Sequence, residues 1–171
     1  MSPRSKYIDS CIRKRLNPRA SLILRKNFTK RLNLQHHGMG DDMAILFAEA
    51  IVEVPYIESI NIADNNLTDV GLGPIINAVI HMKDLIDLDI SYNTIGPVAA
   101  SSLSTYLAKE SCPLQRLVLR RADVDDGKCE ALMRHWCSFC DWFPLSVVVV
   151  GLWTSIRFGS SELEAMQHAR K

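Results

Sequence analysis

Ile57-Glu58-Ser59-Ile60-Asn61-Ile62-Ala63-Asp64-Asn65-Asn66-Leu67 is answered 28 residues later by Leu85-Ile86-Asp87-Leu88-Asp89-Ile90-Ser91-Tyr92-Asn93-Thr94-Ile95. In both stretches apolar residues hold the first, fourth, sixth and eleventh places, and an asparagine, Asn65 or Asn93, holds the ninth. Alternation around the fourth and sixth places is that of a half-buried strand. A fixed period of this length means one supersecondary unit used repeatedly. Moving back 28 residues finds Leu32, Leu34, His37 and Met39; moving forward 29 finds Leu114, Leu117, Leu119, Ala122 and Val124. The outer copies thus carry His37 and Ala122 where the inner ones carry asparagine. That side chain can bond to backbone groups freed as the chain leaves the strand. Asn65 and Asn93 are therefore expected to be structural, and the inner repeats more rigid than the outer ones.

Between the strands lie stretches of helical spacing. Asp41-Asp42 precedes Ala44, Ile45, Phe47, Ala48, Ile51 and Val52; Thr68-Asp69 precedes Val70, Leu72, Ile75, Ile76, Val79 and Ile80. Acidic or hydroxyl starts followed by apolar positions three and four apart predict a helix packed on the strands. Ala99, Leu103, Tyr106 and Leu107 repeat the spacing after Gly96-Pro97, where proline suits a first helical position. Asp125-Asp126 leads into Cys129, Leu132 and Met133 in the fourth copy.

The pattern L-x-x-L-x-L-x-x-N-x-L, carried most specifically by residues 60–71, 88–96 and 112–117, resembles the ribonuclease-inhibitor-like type of leucine-rich repeat. That type is also found in NOD-like receptors, Ran-type GTPase activators and axonemal proteins. The resemblance covers roughly residues 29 to 136 and implies an α/β solenoid, a curved arc with parallel strands on the concave face and helices on the convex face. Stacked units bury a continuous core that no single one could form. The domain organisation expected is a basic N-terminal segment at 1–28, a helical cap; four leucine-rich repeats at about 29–56, 57–84, 85–113 and 114–136; and a degenerate last repeat or non-native tail at 137–171.

With 171 residues and 47% apolar content, the chain suffices for one sizeable core. Five cysteines without framework spacing indicate reduced thiols and a cytoplasmic setting, with cytoskeleton or cilium suggested by analogy alone. Cys112 and Cys129 fall where small buried residues are expected. Cys137 and Cys140 form a lone C-x-x-C; a zinc site would need two more ligands, and His135 is the nearby candidate, so no metal is assigned.

Charge is unevenly distributed. Residues 1–31 carry ten of the twenty Lys and Arg against the single acid Asp9, so the remainder is acidic. This basic head could bind nucleic acid or another anion, could direct import in the manner of a transit peptide, or could dock on its own acidic repeats. Leu22, Ile23, Leu24 and Phe28 lead straight into the first repeat, which favours a cap with Tyr7, Ile8, Cys11, Ile12 and Leu16 on one face, covering the open end of the first strand. Beyond residue 136, Trp142 to Ile156 is uncharged but shorter than the roughly 20 residues a membrane span requires. Val147 to Val150 favour a buried strand. Ser160-Ser161 with Glu162 and Glu164 resembles the start of a capped terminal helix.

If the repeat residues Leu and Ile point inward, their neighbours line the concave surface. These are Arg31, Asn33 and Gln35; Ser59, Asn61 and Ala63; Asp87, Asp89 and Ser91; Arg116, Val118 and Arg120. The next place adds His36, Asp64, Tyr92 and Arg121. Asp87 is expected to pair with Arg116 across neighbouring strands. The partner-binding candidates are Asn61, Asp64, Asp89, Tyr92, Arg120 and Arg121, since Tyr and Arg are prominent among interface hot spots.

Catalysis finds little support. His36, His37, Asp41 and Asp42 cluster without a placed nucleophile, and there is no phosphate-loop motif; Gly71-Leu72-Gly73 belongs to a helix start. The function expected is a non-enzymatic protein–protein interaction scaffold that takes no cofactor and no small-molecule substrate. Nucleic acid and membrane are disfavoured as partners. The rival expectation is a regulator of a small GTPase or another enzyme acting through the same repeats.

Overall fold

The computed structural model describes residues 2–24, 30–107, 109, 112–120 and 122. Along this chain run α1 (Pro3–Arg13), a 3-10 turn (Ala20–Leu22), β1 (Arg31–Asn33), α2 (Gly40–Ile51), β2 (Ser59–Asn61), α3 (Asp69–Val79), β3 (Asp87–Asp89), α4 (Pro97–Leu107) and β4 (Arg116–Val118). The readings of a fourth helix from Asp125, of Cys129, Cys137 and Cys140, of the valine run, of the terminal helix and of Arg121 lie outside the described residues.

The four strands form one parallel sheet in chain order, β1-β2-β3-β4. Register pairs Leu32, Ile60, Leu88 and Leu117 across the sheet, and all four are buried. The 28- and 29-residue spacings of the sequence are therefore the spacings between paired residues. Each of β1, β2 and β3 is followed by a helix that returns over the same side, so α2, α3 and α4 pack in succession against one another. Parallel strands require such crossovers. The core lies between the layers: Ile57, Ile60, Ile62, Leu85, Leu88, Ile90 and Ile95 are wholly buried, as are Phe47, Ile51, Leu72, Ile75, Ile76 and Leu103. No helix among the described residues is long and apolar enough to cross a membrane.

Two polar ladders tie one repeat to the next. Asn93 donates from Nδ2 to the carbonyls of Ile62 (3.0 Å), Ile90 (3.1 Å) and Ser91 (3.2 Å). Its Oδ1 accepts from Asn65 N and Leu67 N, each at 3.1 Å. Asn65 does the same one repeat earlier, donating to Leu34, Ile62 and Ala63 carbonyls and accepting from Met39 N. At the end where Ala122 stands in place of asparagine, Ile95 N turns to the Ala122 carbonyl itself, at 3.0 Å.

The second ladder joins helix starts. Asp41, in the first turn of α2, accepts from Thr68 N (2.8 Å), Thr68 Oγ1 (2.6 Å) and Gly71 N (3.1 Å) at the start of α3. Asp69, 28 residues on, accepts from Val98 N (3.0 Å) and Ala99 N (2.6 Å) at the start of α4. A carboxylate here satisfies orphan N–H groups and faces the positive end of the helix. Gly71 and Gly96 make the approach possible: a Cβ on the first would strike Asp41, and on the second Asp69.

The N-terminal helix begins with Pro3 after the Ser2 cap, whose side chain accepts from Ser5 N at 3.1 Å. It packs on α2, so it adds to the helix layer and not to the strand layer. Tyr7 and Cys11 are wholly buried and Ile8 and Leu16 partly so, whereas Ile12, expected on the same face, is 65% exposed. Ile12 lies one residue beyond Cys11, about 100° further around the helix and off the buried stripe. Basic side chains of this helix meet acids of α2 and its exit: Lys6 with Glu53 at 2.8 Å and Arg13 with Glu49 at 3.2 Å, while Ser10 donates to Glu49 at 2.5 Å.

Candidate functional site

Four rows of side chains cross the concave surface at the repeat spacing. The first comprises Arg31, Ser59, Asp87 and Arg116. Arg116 Nη1 donates to both oxygens of Asp87, at 3.2 and 3.0 Å, so this pair joins β3 to β4. Being partly exposed, such a pair contributes at most about 1 kcal/mol.

The second row, Asn33, Asn61, Asp89 and Val118, organises the turn out of each strand. Asn33 Oδ1 accepts from Gln35 N (3.1 Å), Asn61 Oδ1 from Ala63 N (3.0 Å) and Asp89 Oδ1 from Ser91 N (3.0 Å). This is the side-chain mimicry of a backbone turn at which Asn and Asp excel. Val118 has no such oxygen, and there Arg120 N donates instead to Ser91 Oγ at 3.0 Å. Asn61 and Asp89 are half-buried, so one oxygen of each holds the turn while the rest of the side chain reaches the surface.

The third row differs from the sequence-based expectation. Gln35 and Arg120 reach solvent, but Ala63 and Ser91 are buried, as is Val118 of the row before, and these three offer no contact surface. The serine hydroxyl is consumed in replacing the missing turn acceptor.

His36, Asp64 and Tyr92 form the fourth row, with φ of 60°, 54° and 56°. This left-handed conformation costs a residue with a Cβ about 1 kcal/mol or more, and a bulky side chain is rarest there. Inter-repeat bonds hold it: His36 N donates to Ala63 O (3.1 Å), Asp64 N to Ser91 O (2.9 Å) and Tyr92 N to Arg120 O (2.7 Å). The ring of Tyr92 is left 47% exposed. Asp64 Oδ2 lies 2.5 Å from His36 Nδ1, an interaction the sequence reading missed although both residues stood in the same row. Their 28-residue spacing is the signal that could have found it, as it did for Asp87 and Arg116.

Of the six candidates, Asn61, Asp64, Asp89, Tyr92 and Arg120 therefore share one face, and Arg121 lies outside the described residues. Residues 55–75 and 81–104 match the family model described as Leucine Rich repeat, covering β2 with the start of α3 and β3 with most of α4. No curated protein matches the chain significantly. The parallel sheet with its helix layer is a leucine-rich-repeat arc, built on the two matched units and their neighbours.

Proposed function

We propose that this chain is a non-enzymatic scaffold that holds a protein partner on the concave face of its repeats. Leucine-rich repeats serve in general as protein-interaction modules, because stacking units creates an extended surface of fixed shape. The observation that carries the reading is Tyr92: an aromatic ring, half exposed, at a backbone position better suited to glycine or asparagine. Packing among the described residues leaves the ring half exposed, whereas aromatic anchors are prominent in binding energy. Asn61, Asp64 and Asp89 on one side and Arg120 on the other complete the contact set, to which the sequence adds Arg121 as a candidate. We assign the repeats to the ribonuclease-inhibitor-like type from their period of 28 to 29 residues with one helix per unit. A cytoplasmic setting is part of the proposal, supported by the free thiols of Cys11 and Cys112.

The test is capture from cell extract by immobilised wild-type protein and by the Tyr92→Ala/Arg120→Ala double variant, with melting temperatures measured in parallel. A protein retained by the wild type and lost from an equally stable variant is the expected result. Equal retention by both would move the binding surface elsewhere on the arc.

A further inference from the structure

Four side chains at the N-terminal side of the concave face form a continuous chain of hydrogen bonds across two repeats: Asn61, Gln35, His36 and Asp64. Its direction follows from one end. Asn61 Oδ1 is engaged by Ala63 N, so the amide Nδ2 faces Gln35 and donates to Gln35 Oε1 at 3.3 Å. With its oxygen committed, Gln35 presents Nε2 to His36 Nε2 at 2.8 Å. An amide nitrogen can only donate, so His36 Nε2 carries a lone pair there. The imidazole proton then sits on Nδ1 and is donated to Asp64 Oδ2 at 2.5 Å. Every link has one donor and one acceptor when His36 is neutral.

A second proton, taken from solvent, goes onto Nε2 and points at the Gln35 amide. Two donors then face each other, and the link breaks. Turning the Gln35 amide over does not restore the chain, because its NH2 group would then meet the Asn61 amide NH2. The link between His36 and Asp64 persists and becomes an ion pair. We propose that this chain is a pH-sensitive switch on the concave face. With His36 neutral, Asp64 keeps its negative charge and the Gln35 amide is tied to the ring; with His36 protonated, the Asp64 charge is matched and the Gln35 amide is released from the ring.

The groups surrounding the ring fit this assignment. Asp64 comes from the exit of β2. From the histidine's own turn come Gln35 and His37, whose Nδ1 bonds to Gln35 O at 2.8 Å. The Arg19 guanidinium reaches the same turn from the N-terminal segment, donating to the carbonyls of His37 (2.9 Å) and Gly38 (2.7 Å). A role for the switch in partner binding rests on the concave-face reading above, since Asn61 and Asp64 belong to that contact set. The proton chemistry itself needs no partner.

The experiment is a pH titration of the full chain by nuclear magnetic resonance, following the ring nitrogens of His36 and the side-chain amides of Gln35 and Asn61. In the wild type the neutral ring should be the Nδ1–H tautomer, the less common form in solution, and both amide signals should move with the His36 midpoint. Asn61→Asp supplies an acceptor in place of the amide, in a turn geometry that Asp89 already adopts one repeat on. Gln35 then turns its nitrogen to the new carboxylate and its oxygen to His36, which holds its second proton to higher pH. Asn33→Asp adds the same charge nearby without reversing the chain, so the Asn61→Asp midpoint should exceed that of Asn33→Asp by about half a pH unit, a threefold change in proton affinity. An Nε2–H tautomer in the wild type, or equal shifts in the two variants, would overturn the proposal. Because no partner takes part, neither result depends on the outcome of the capture experiment.

Discussion

Asn93 lies one repeat beyond Asn65 and bonds to it directly: Asn93 Oδ1 accepts the Asn65 backbone N–H at 3.1 Å. The same oxygen accepts from Leu67 N, and the amide nitrogen serves three carbonyls. Asn93 is 4% exposed, so water cannot replace these partners without opening the structure. Asn93→Ala is expected to cost at least about 3 kcal/mol in urea unfolding, since each buried group left without a partner costs roughly 1–3 kcal/mol. A loss below about 1 kcal/mol would mean that the backbone re-pairs on its own, as Ile95 N does with the Ala122 carbonyl.

Gly96 and Asp69 are expected to be coupled. A Cβ on Gly96 would meet the Asp69 carboxylate, so Gly96→Ala should cost about 2 kcal/mol by displacing the group that caps α4. Asp69→Ala alone should cost about 1 kcal/mol. In the double variant the added methyl group occupies space the carboxylate has left, and the loss should fall short of the sum of the two singles. Strict additivity in a double-mutant cycle would show that the glycine is needed for some other reason.

Alkali should destabilise the fold through three buried groups and the half-buried thiol of Cys112. Burial pushes Tyr7 from its ordinary 10.0 up to about 12, and likewise raises Tyr106, Cys11 and Cys112. A group that holds its proton more tightly when folded contributes stability that is complete below its unfolded value and lost as pH climbs through the folded one. The thiols enter that window near 9.0 and the tyrosines near 10.0, so the melting temperature should fall most steeply above pH 10. Each tyrosine contributes a slope of up to about 1.4 kcal/mol per pH unit. Tyr106→Phe should flatten that slope at little cost near pH 7, because the weak thiol partner Cys112 is all its hydroxyl faces among the described residues. Tyr7→Phe should flatten it too but lower stability at pH 7, since the Tyr7 hydroxyl accepts from Arg19 N at 3.0 Å. Parallel curves for wild type and variants would discount these groups.

How far the molecule was legible beforehand depended on whether a feature repeats in the template. Strand positions, sheet order and the pairing of Asp87 with Arg116 all follow from the 28- and 29-residue spacings, because in a solenoid residues one period apart are neighbours. The burial of Ala63 and Ser91 did not follow, since strict alternation no longer holds in the turn past the strand; Val118 lies inside β4 and is buried although alternation places it outward. In the sequence Asp41 and Asp69 stand as acids opening their own helices. Their carboxylates in fact cap the next helix, a bond between repeats that the leucine pattern does not encode and that the sequence interrupts at Pro97. Ile12 was misplaced because apolar character alone assigned its face, with no neighbouring helix yet known. At the concave face, one period also separates His36 from Asp64, but the bond between them depends on a left-handed turn that neither residue type specifies.

Tyr92 permits a test in which stability and binding move in opposite directions. With φ at 56°, this residue sits where glycine bears no steric penalty, and its ring is 47% exposed. Tyr92→Gly removes the left-handed strain but adds backbone freedom to the unfolded chain. Tyr92→Asn relieves part of the strain without that second effect, asparagine being among the residues that tolerate this region best. Tyr92→Asn is accordingly expected to leave the protein as stable as the wild type or to stabilise it by up to about 1 kcal/mol, read from thermal and urea unfolding. If the concave face is the binding surface, the same variant should lose about 2 kcal/mol of affinity for a captured partner, roughly thirtyfold, as loss of an aromatic hot spot does. A variant both less stable and unimpaired in binding would make Tyr92 a packing residue. One more stable and weaker in binding would mean that its strain is maintained for recognition.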